Sequence, residues 1–219
     1  MDKQYACFQA VSVIAVEGVK IVPSGVNKGR RIESLALFRF TGIEAVSSSY
    51  AVGKIVGKQM HQIEIRDARV EDSALILRFI KELAEYEKEP QAVVATEASI
   101  ETSIFGADST VDAVICLING EPVGFAVYFY NYSTWMGRNG MYLEDLYVSP
   151  EYRKFGAGKA ILKHLAKIAV AKECGRFEWS VLDWNEPAIQ FYKSIGARPM
   201  DGWTVYRLAG KELAALAEI

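Results

Sequence analysis

Residues 141–158, MYLEDLYVSPEYRKFGAG, constrain the fold of this chain more than any other stretch. Residues 141–148 are rich in aromatic and branched apolar side chains, which suit a pleated and mostly buried strand. Pro150 has no N–H to donate and ends the ladder. Gly156 and Gly158 open a helix whose apolar residues Ile161, Leu165 and Ile168 fall on one face, while Lys159, Lys163 and Lys167 mark a solvated one. Glu144 and Asp145 are adjacent in mid-strand, where simple alternation sends them to opposite faces. An ionised carboxylate in a buried strand is costly unless paired or wetted, so one of the two is expected to face a cleft.

The turn at 153–158, RKFGAG, is basic, glycine-rich and feeds a helix N-terminus. Free N–H groups and the positive end of the helix dipole there suit a diphosphate. A phosphate-binding P-loop requires a hydroxyl after Gly-Lys, and here Gly158-Lys159 is followed by Ala160. A dinucleotide fingerprint requires a third glycine where Ile161 stands. The remaining pattern is R-x-x-G-x-G after a strand. Its bland alternative is an unligated glycine-rich helix start.

The rest of the chain places this unit in a mixed α/β (α+β) fold. Ile63 and Ile65 alternate with charged residues and mark a first strand after His61. Residues 70–87 read as a helix lined by Leu75, Phe79, Leu83 and Tyr86, and Pro90 prevents its continuation. Thr96 caps a second helix that stops near Gly106. Strands at 111–118 and 122–130 flank Asn119-Gly120, a strong hairpin signal. Residues 132–138 form a loop before the strand at 141–148. A strand at 176–182 follows, then a helix capped by Asn185 and ended by Gly196. A last strand is expected at 203–208 and a short helix at 211–217. Early hairpins and late crossovers predict a mixed sheet flanked by helices.

Residues 1–59 read differently, as an extension ahead of a domain at 60–219. They hold a basic turn at 27–31 and linker-like stretches at 47–49 and 53–57. An organellar presequence, a loosely ordered tail and sequence upstream of a true start at Met60 all remain open for them. The net charge of −2 offers no reason to expect nucleic acid or membrane as partner, and no run approaches about 18 apolar residues. Cys7, Cys116 and Cys174 show no C-x-x-C spacing, which points to a reducing, cytoplasmic compartment. His61 and His164 are too few for a histidine-based metal site, so no metal is expected.

Residues 61–219 resemble the GNAT superfamily of N-acetyltransferases. The motifs at 78–87 (RFIKELAEYE), 142–145 (YLED), 153–158, 184–187 (WNEP), 191–193 (FYK), 196–197 (GA) and 202–203 (GW) are similar to those of the diamine acetyltransferase branch. That branch includes spermidine/spermine and thialysine acetyltransferases. STWMGR at 133–138 and VLDWN at 181–185 look closer to the thialysine type. Ser133 or Thr134 stands where the spermidine type has an acid.

The resemblance implies acetyl transfer from acetyl-CoA to a small primary amine by direct attack in a ternary complex, and a homodimer. It implies that Arg153, Lys154, Phe155, Gly156, Ala157, Gly158 and Lys159 hold the diphosphate. Leu146, Tyr147 and Val148 would hold the pantetheine, and Asn185, Glu186, Pro187 and Ala188 the CoA arm beside it. A lysine-like ammonium titrates at about 10.4 and a carboxylate at about 4.3, so Glu144 would work through water as base. The amide of Leu146 would donate to the carbonyl oxygen. Tyr192, a phenol that keeps its proton at neutral pH, would serve as acid for the leaving thiolate. The resemblance assigns amine selection to Tyr86, Glu87, Trp135, Glu144, Asp145, Glu178, Trp179, Ser180, Asp201 and Trp203, since carboxylates and aromatic faces together suit a cation. Asp201 replaces a glutamate, in a shorter loop. Two other readings are a protein-lysine or N-terminal acetyltransferase and a non-catalytic acyl-CoA-binding module. The presence of both Glu144 and Tyr192 favours an enzyme over the module.

Overall fold

The computed structural model describes residues 61–218. The expectations for residues 1–60 and the chain's last residue lie outside that range. Five strands form one sheet in chain order: β1 (Ile63–Asp67), β2 (Val111–Ile118), β3 (Glu121–Ser133), β4 (Arg138–Val148) and β5 (Phe177–Trp179). The first four are antiparallel neighbours, and β5 runs parallel to β4. The sheet is therefore mixed, as the order of hairpins and crossovers predicts. Asn119 and Gly120 both take positive φ, 52° and 84°, the two-residue turn that matches strand twist.

Helices cover both faces. On one side, α1 (Ser73–Tyr86) buries Ile76, Phe79 and Leu83 against Phe125 and Tyr147, joined by Ile100 of α2 (Glu97–Phe105). Burying a side chain such as Phe79 contributes about 1.5–3 kcal/mol. On the other side, α3 (Ala157–Ala171) buries Ile161, Leu162 and Leu165 against Val114, Leu143 and Leu146. Phe191 and Tyr192 of α4 (Glu186–Ser194) join that second core. The lysines at 159, 163 and 167 are exposed, as their spacing predicts. The last helix is α5 (Gly210–Ala217).

Several boundaries differ from expectation for tertiary reasons. The helix expected from residue 70 begins with a 3-10 turn at Val70–Asp72, where Asp72 accepts from the backbone N–H of Arg69 and from the Arg66 guanidinium. The loop expected at 132–138 shrinks, because β3 and β4 pair out to Ser133 and Arg138. The strand expected at 176–182 is only Phe177–Trp179. Its partner β4 carries an irregularity just beyond Leu143, and a bulged strand bends away from its neighbour. The strand expected at 203–208 is absent: that segment has no regular structure, and Trp203, Val205 and Tyr206 are 70%, 75% and 92% exposed. Apolar alternation makes a strand only where an edge pairs with it, and β5 is three residues long.

Candidate active site

The site is built around an irregularity in β4. Val127 of β3 lies opposite Asp145, and Tyr128 lies opposite Leu143, which leaves Glu144 as the extra residue of a bulge. Leu143 and Leu146 both belong to the α3-side core although three positions separate them. Asp145, across from Val127, takes the α1 side. The bulge thus interrupts the simple alternation on which the opposite-face expectation for Glu144 and Asp145 rests.

The bulge also resets which backbone amides point where. Met141 donates to Arg176 O on the β5 side, while Ser149 donates to Val123 O on the β3 side. Counting back from Ser149 by twos sends Tyr147 toward β3 and leaves the N–H groups of Leu146 and Val148 on the other edge. Pairing of β4 with β5 ends at Leu143 and Trp179. Those two amides therefore line the gap that opens beyond β5.

At the end of β4, a 3-10 turn (Pro150–Phe155) leads to Gly156, whose φ of 89° only glycine adopts readily. Among the described residues, its two chain neighbours aside, no heavy atom lies within 4 Å of where a Cβ would stand on Gly156. Gly156 is also the N-cap of α3 and offers no side chain to cap it. The first amides of this helix are therefore left for an external acceptor. Ala157 and Gly158 are buried, and Lys154, Phe155 and Lys159 are exposed around them. The Arg153 side chain is engaged within the protein. Its Nε donates to Val148 O at 2.8 Å, and its guanidinium sits 5.1 Å from the Tyr86 ring centroid and 5.6 Å from that of Tyr147. Burial lowers its pKa.

Helix α4 reaches the same region from the other side. Asn185 is 0% exposed and caps the helix, its Oδ1 accepting from Ala188 N–H at 3.4 Å. The same oxygen accepts from Tyr86 Oη at 3.3 Å. Asn185 Nδ2 is buried with no hydrogen-bond partner among the described residues. Such an orphan donor is costly and calls for an acceptor from outside. Tyr192 is buried, its ring 5.0 Å from that of Trp179. Trp179 pairs with Leu143, the residue before Glu144, so the phenol and the carboxylate belong to adjacent levels of the sheet.

Electrostatics distinguish the two acids. Burial pushes the Asp145 carboxyl up to about 8, helped by the charges of Glu144 and Glu87. Burial also raises Glu144, and Arg207 opposes that rise. Arg207 is a contributor that the sequence does not mark, because the pattern at 203–208 reads only as a strand. Glu87 lies directly beyond α1, half-buried.

The structure gathers the selection candidates into separate places. Glu178 is engaged by Arg176 at 2.8 Å and by Asn131 Nδ2 at 3.3 Å. Ser180 Oγ lies 2.8 Å from Tyr142 Oη. Trp135 and Trp203, with Arg176, line a cavity of about 210 Å³ at the tip of the β3–β4 hairpin. Arg138, at the hairpin end of β4, and Glu144 are six positions apart, about 20 Å along the strand. Asp201 is exposed on the turn before Trp203.

A mixed sheet with a bulged fourth strand, a helix that starts at an uncapped glycine and a buried amide without a partner among the described residues are together the features of an acyltransferase. The open side of Gly156, the amides at the gap and Asn185 Nδ2 fit acetyl-CoA, with Arg153 excepted as a direct contact. Residues 76–197 match the acetyltransferase (GNAT) family, and the chain belongs to that family. It is an acetyl-CoA-dependent N-acetyltransferase. The thialysine N-epsilon-acetyltransferase of Sus scrofa is 41% identical over 169 residues, spanning 72% of this chain and 99% of that protein. The spermidine/spermine N(1)-acetyltransferase-like protein 1 of Homo sapiens is 34% identical over 168 residues, 72% of this chain and 24% of that protein. Among solved structures, an integron cassette protein of V. cholerae superposes with a TM-score of 0.62 at 30% identity, covering 72% of this chain and 98% of its own.

Proposed function

We propose that this enzyme acetylates a primary amine of a small molecule of the thialysine, diamine or polyamine-like class. Acetyl-CoA supplies the activated acetyl group. The uncapped amides at the start of α3, with Gly156 giving close backbone approach, would hold the diphosphate, flanked by Lys154 and Lys159. Asn185 Nδ2 would donate to an amide carbonyl of the pantetheine arm, and Val148 N–H would pair along it. Leu146 N–H would donate to the thioester oxygen as it gains charge.

Glu144 would take the proton from the ammonium through water. Burial raises its pKa toward the amine's own, and a bound water would relay the proton between the two. Asp145, with its carboxyl at about 8, carries a proton for much of the neutral range and serves as a poor second anion. Tyr192 would return a proton to the departing sulfur. The observation that supports this reading is the bulge of β4 at Glu144, next to the point where pairing with β5 ends at Leu143 and Trp179 and where the Trp179 ring meets that of Tyr192. The identities of 38–41% to thialysine N-epsilon-acetyltransferases of three mammals support the amine class.

The reading includes a domain at 60–219, with 1–59 an extension of no assigned role, a cytoplasmic location and a homodimer. No helix among the described residues is long and apolar enough to cross a membrane. The exposed apolar residues of the 203–208 segment and of α5, among them Val205, Leu213 and Leu216, are surface that a second copy would cover; light scattering measures that directly.

The test is CoA release from the full chain with thialysine, lysine, ornithine, spermidine and lysine peptides. Turnover highest on one of the small amines is expected. Turnover confined to peptides, or tight acetyl-CoA binding with none, would overturn the reading.

A further inference from the structure

Tyr86 ends α1 and touches three segments that the chain brings together from far apart. Its ring carries the Arg153 guanidinium, 5.1 Å from the centroid. The Trp184 ring lies 5.7 Å away at 47°. Its hydroxyl donates to Asn185 Oδ1, across 99 positions of sequence. Arg153 is in turn tied to the end of β4 through Val148 O. The contacts form one line, from the turn that precedes α3, through Tyr86, to the N-cap of the helix that carries Tyr192.

Asn185 shows what the line is for. Among the described residues, the one donor besides Tyr86 that meets its Oδ1 is Ala188 N–H, at a long 3.4 Å. Both donors require oxygen at that position, so together they hold the amide plane and leave Nδ2 facing away from them. Without the phenol, one weak bond orients a buried side chain whose other end has no protein partner. A cation on the ring face also withdraws electron density and makes the hydroxyl a better donor. Both the ring and the hydroxyl of Tyr86 are thus committed inside the protein, which argues against the amine contact expected for it.

We propose that Tyr86 is a positioning residue: bridging Arg153 and Asn185, it orients Asn185 Nδ2 toward the pantetheine arm and couples the turn before α3 to helix α4. The proposal rests on the acetyl-CoA reading of the site. Its effect falls on the donor thioester and not on the amine.

The test compares Tyr86→Phe, Asn185→Ala and the double variant in the full chain, by calorimetric titration with acetyl-CoA and by kinetics with thialysine. Tyr86→Phe keeps the ring on Arg153 and removes only the hydroxyl. It is expected to weaken acetyl-CoA binding by about 2- to 12-fold, the range one hydrogen bond supplies, with the KM for thialysine unmoved. In the Asn185→Ala background the same change is expected to have no further effect on acetyl-CoA binding. Effects of the two substitutions that simply add, or a Tyr86→Phe variant whose KM rises for thialysine alone, would overturn the coupling while leaving the acetyl-CoA reading intact. A wild-type chain that does not bind acetyl-CoA would overturn both.

Discussion

Tyr192 packs its ring 5.0 Å from that of Trp179, the residue at which β5 stops pairing with β4. The phenol is thereby anchored where the sheet parts, through an aromatic contact that does not need its hydroxyl. Tyr192→Phe keeps the ring and removes the proton donor. We expect kcat to fall by about 10–10⁴-fold, the scale of acid–base catalysis, with acetyl-CoA affinity nearly unchanged. Rapid-mixing kinetics and calorimetry check the two halves separately.

Gly156 sits at φ 89° with open space beyond it. Gly156→Ala therefore meets no clash in the free protein, and its stability cost is that of a left-handed backbone, about 1–2 kcal/mol. The added methyl faces the side from which a diphosphate would approach the amides. The KM for acetyl-CoA should rise about tenfold, the factor that ~1.4 kcal/mol of lost contact gives. An unchanged KM would place the diphosphate elsewhere.

Asp145 makes stability depend on pH in an unusual direction. Its folded carboxyl is raised to about 8, against about 3.9 in the unfolded chain. Between those values the folded chain holds a proton that the unfolded chain has lost, so the site's contribution to stability declines as pH rises through that window. Asp145→Asn cannot ionise and removes this slope. Relative to wild type, its melting temperature should improve steadily from pH 5 to pH 8.5.

Asp72 behaves in the opposite sense. Hydrogen bonding to Arg66 at 2.7 and 2.8 Å, and to the Arg69 amide, holds its carboxyl below the ordinary range. Its contribution is present above the unfolded carboxylate value and is lost as pH falls through the lower folded one. Asp72→Asn should cost about 1–3 kcal/mol at pH 7, the scale of bonds to a charged group. In urea titrations that difference should vanish at strongly acidic pH.

Much of the site was legible because its parts are local. The glycine at 156 is required by one left-handed turn, and Asn185 precedes Glu186 and Pro187 in a helix start that three residues announce. The Asn119-Gly120 turn needed nothing beyond its own two residues. The direction of the Arg153 side chain was not legible, because a long basic side chain can reach either way from its turn. Here the aromatic faces of Tyr86 and Tyr147 hold it on the α1 side. Glu178 likewise reads as a free acid until Arg176, two positions back on the same face of the strand, is seen beside it.

By itself the sequence determined the succession of elements from β1 to α4, the turns and caps between them and the identity of the chemical groups. Each of those depends on backbone preferences that act over a few neighbours. The tertiary structure alone decided that β4 bulges at Glu144, that Tyr86 meets Asn185, and that residues 203–208 find no partner strand. Those outcomes depend on which surfaces are left opposite one another once the sheet has twisted and the helices have packed, and no spacing along the chain encodes that.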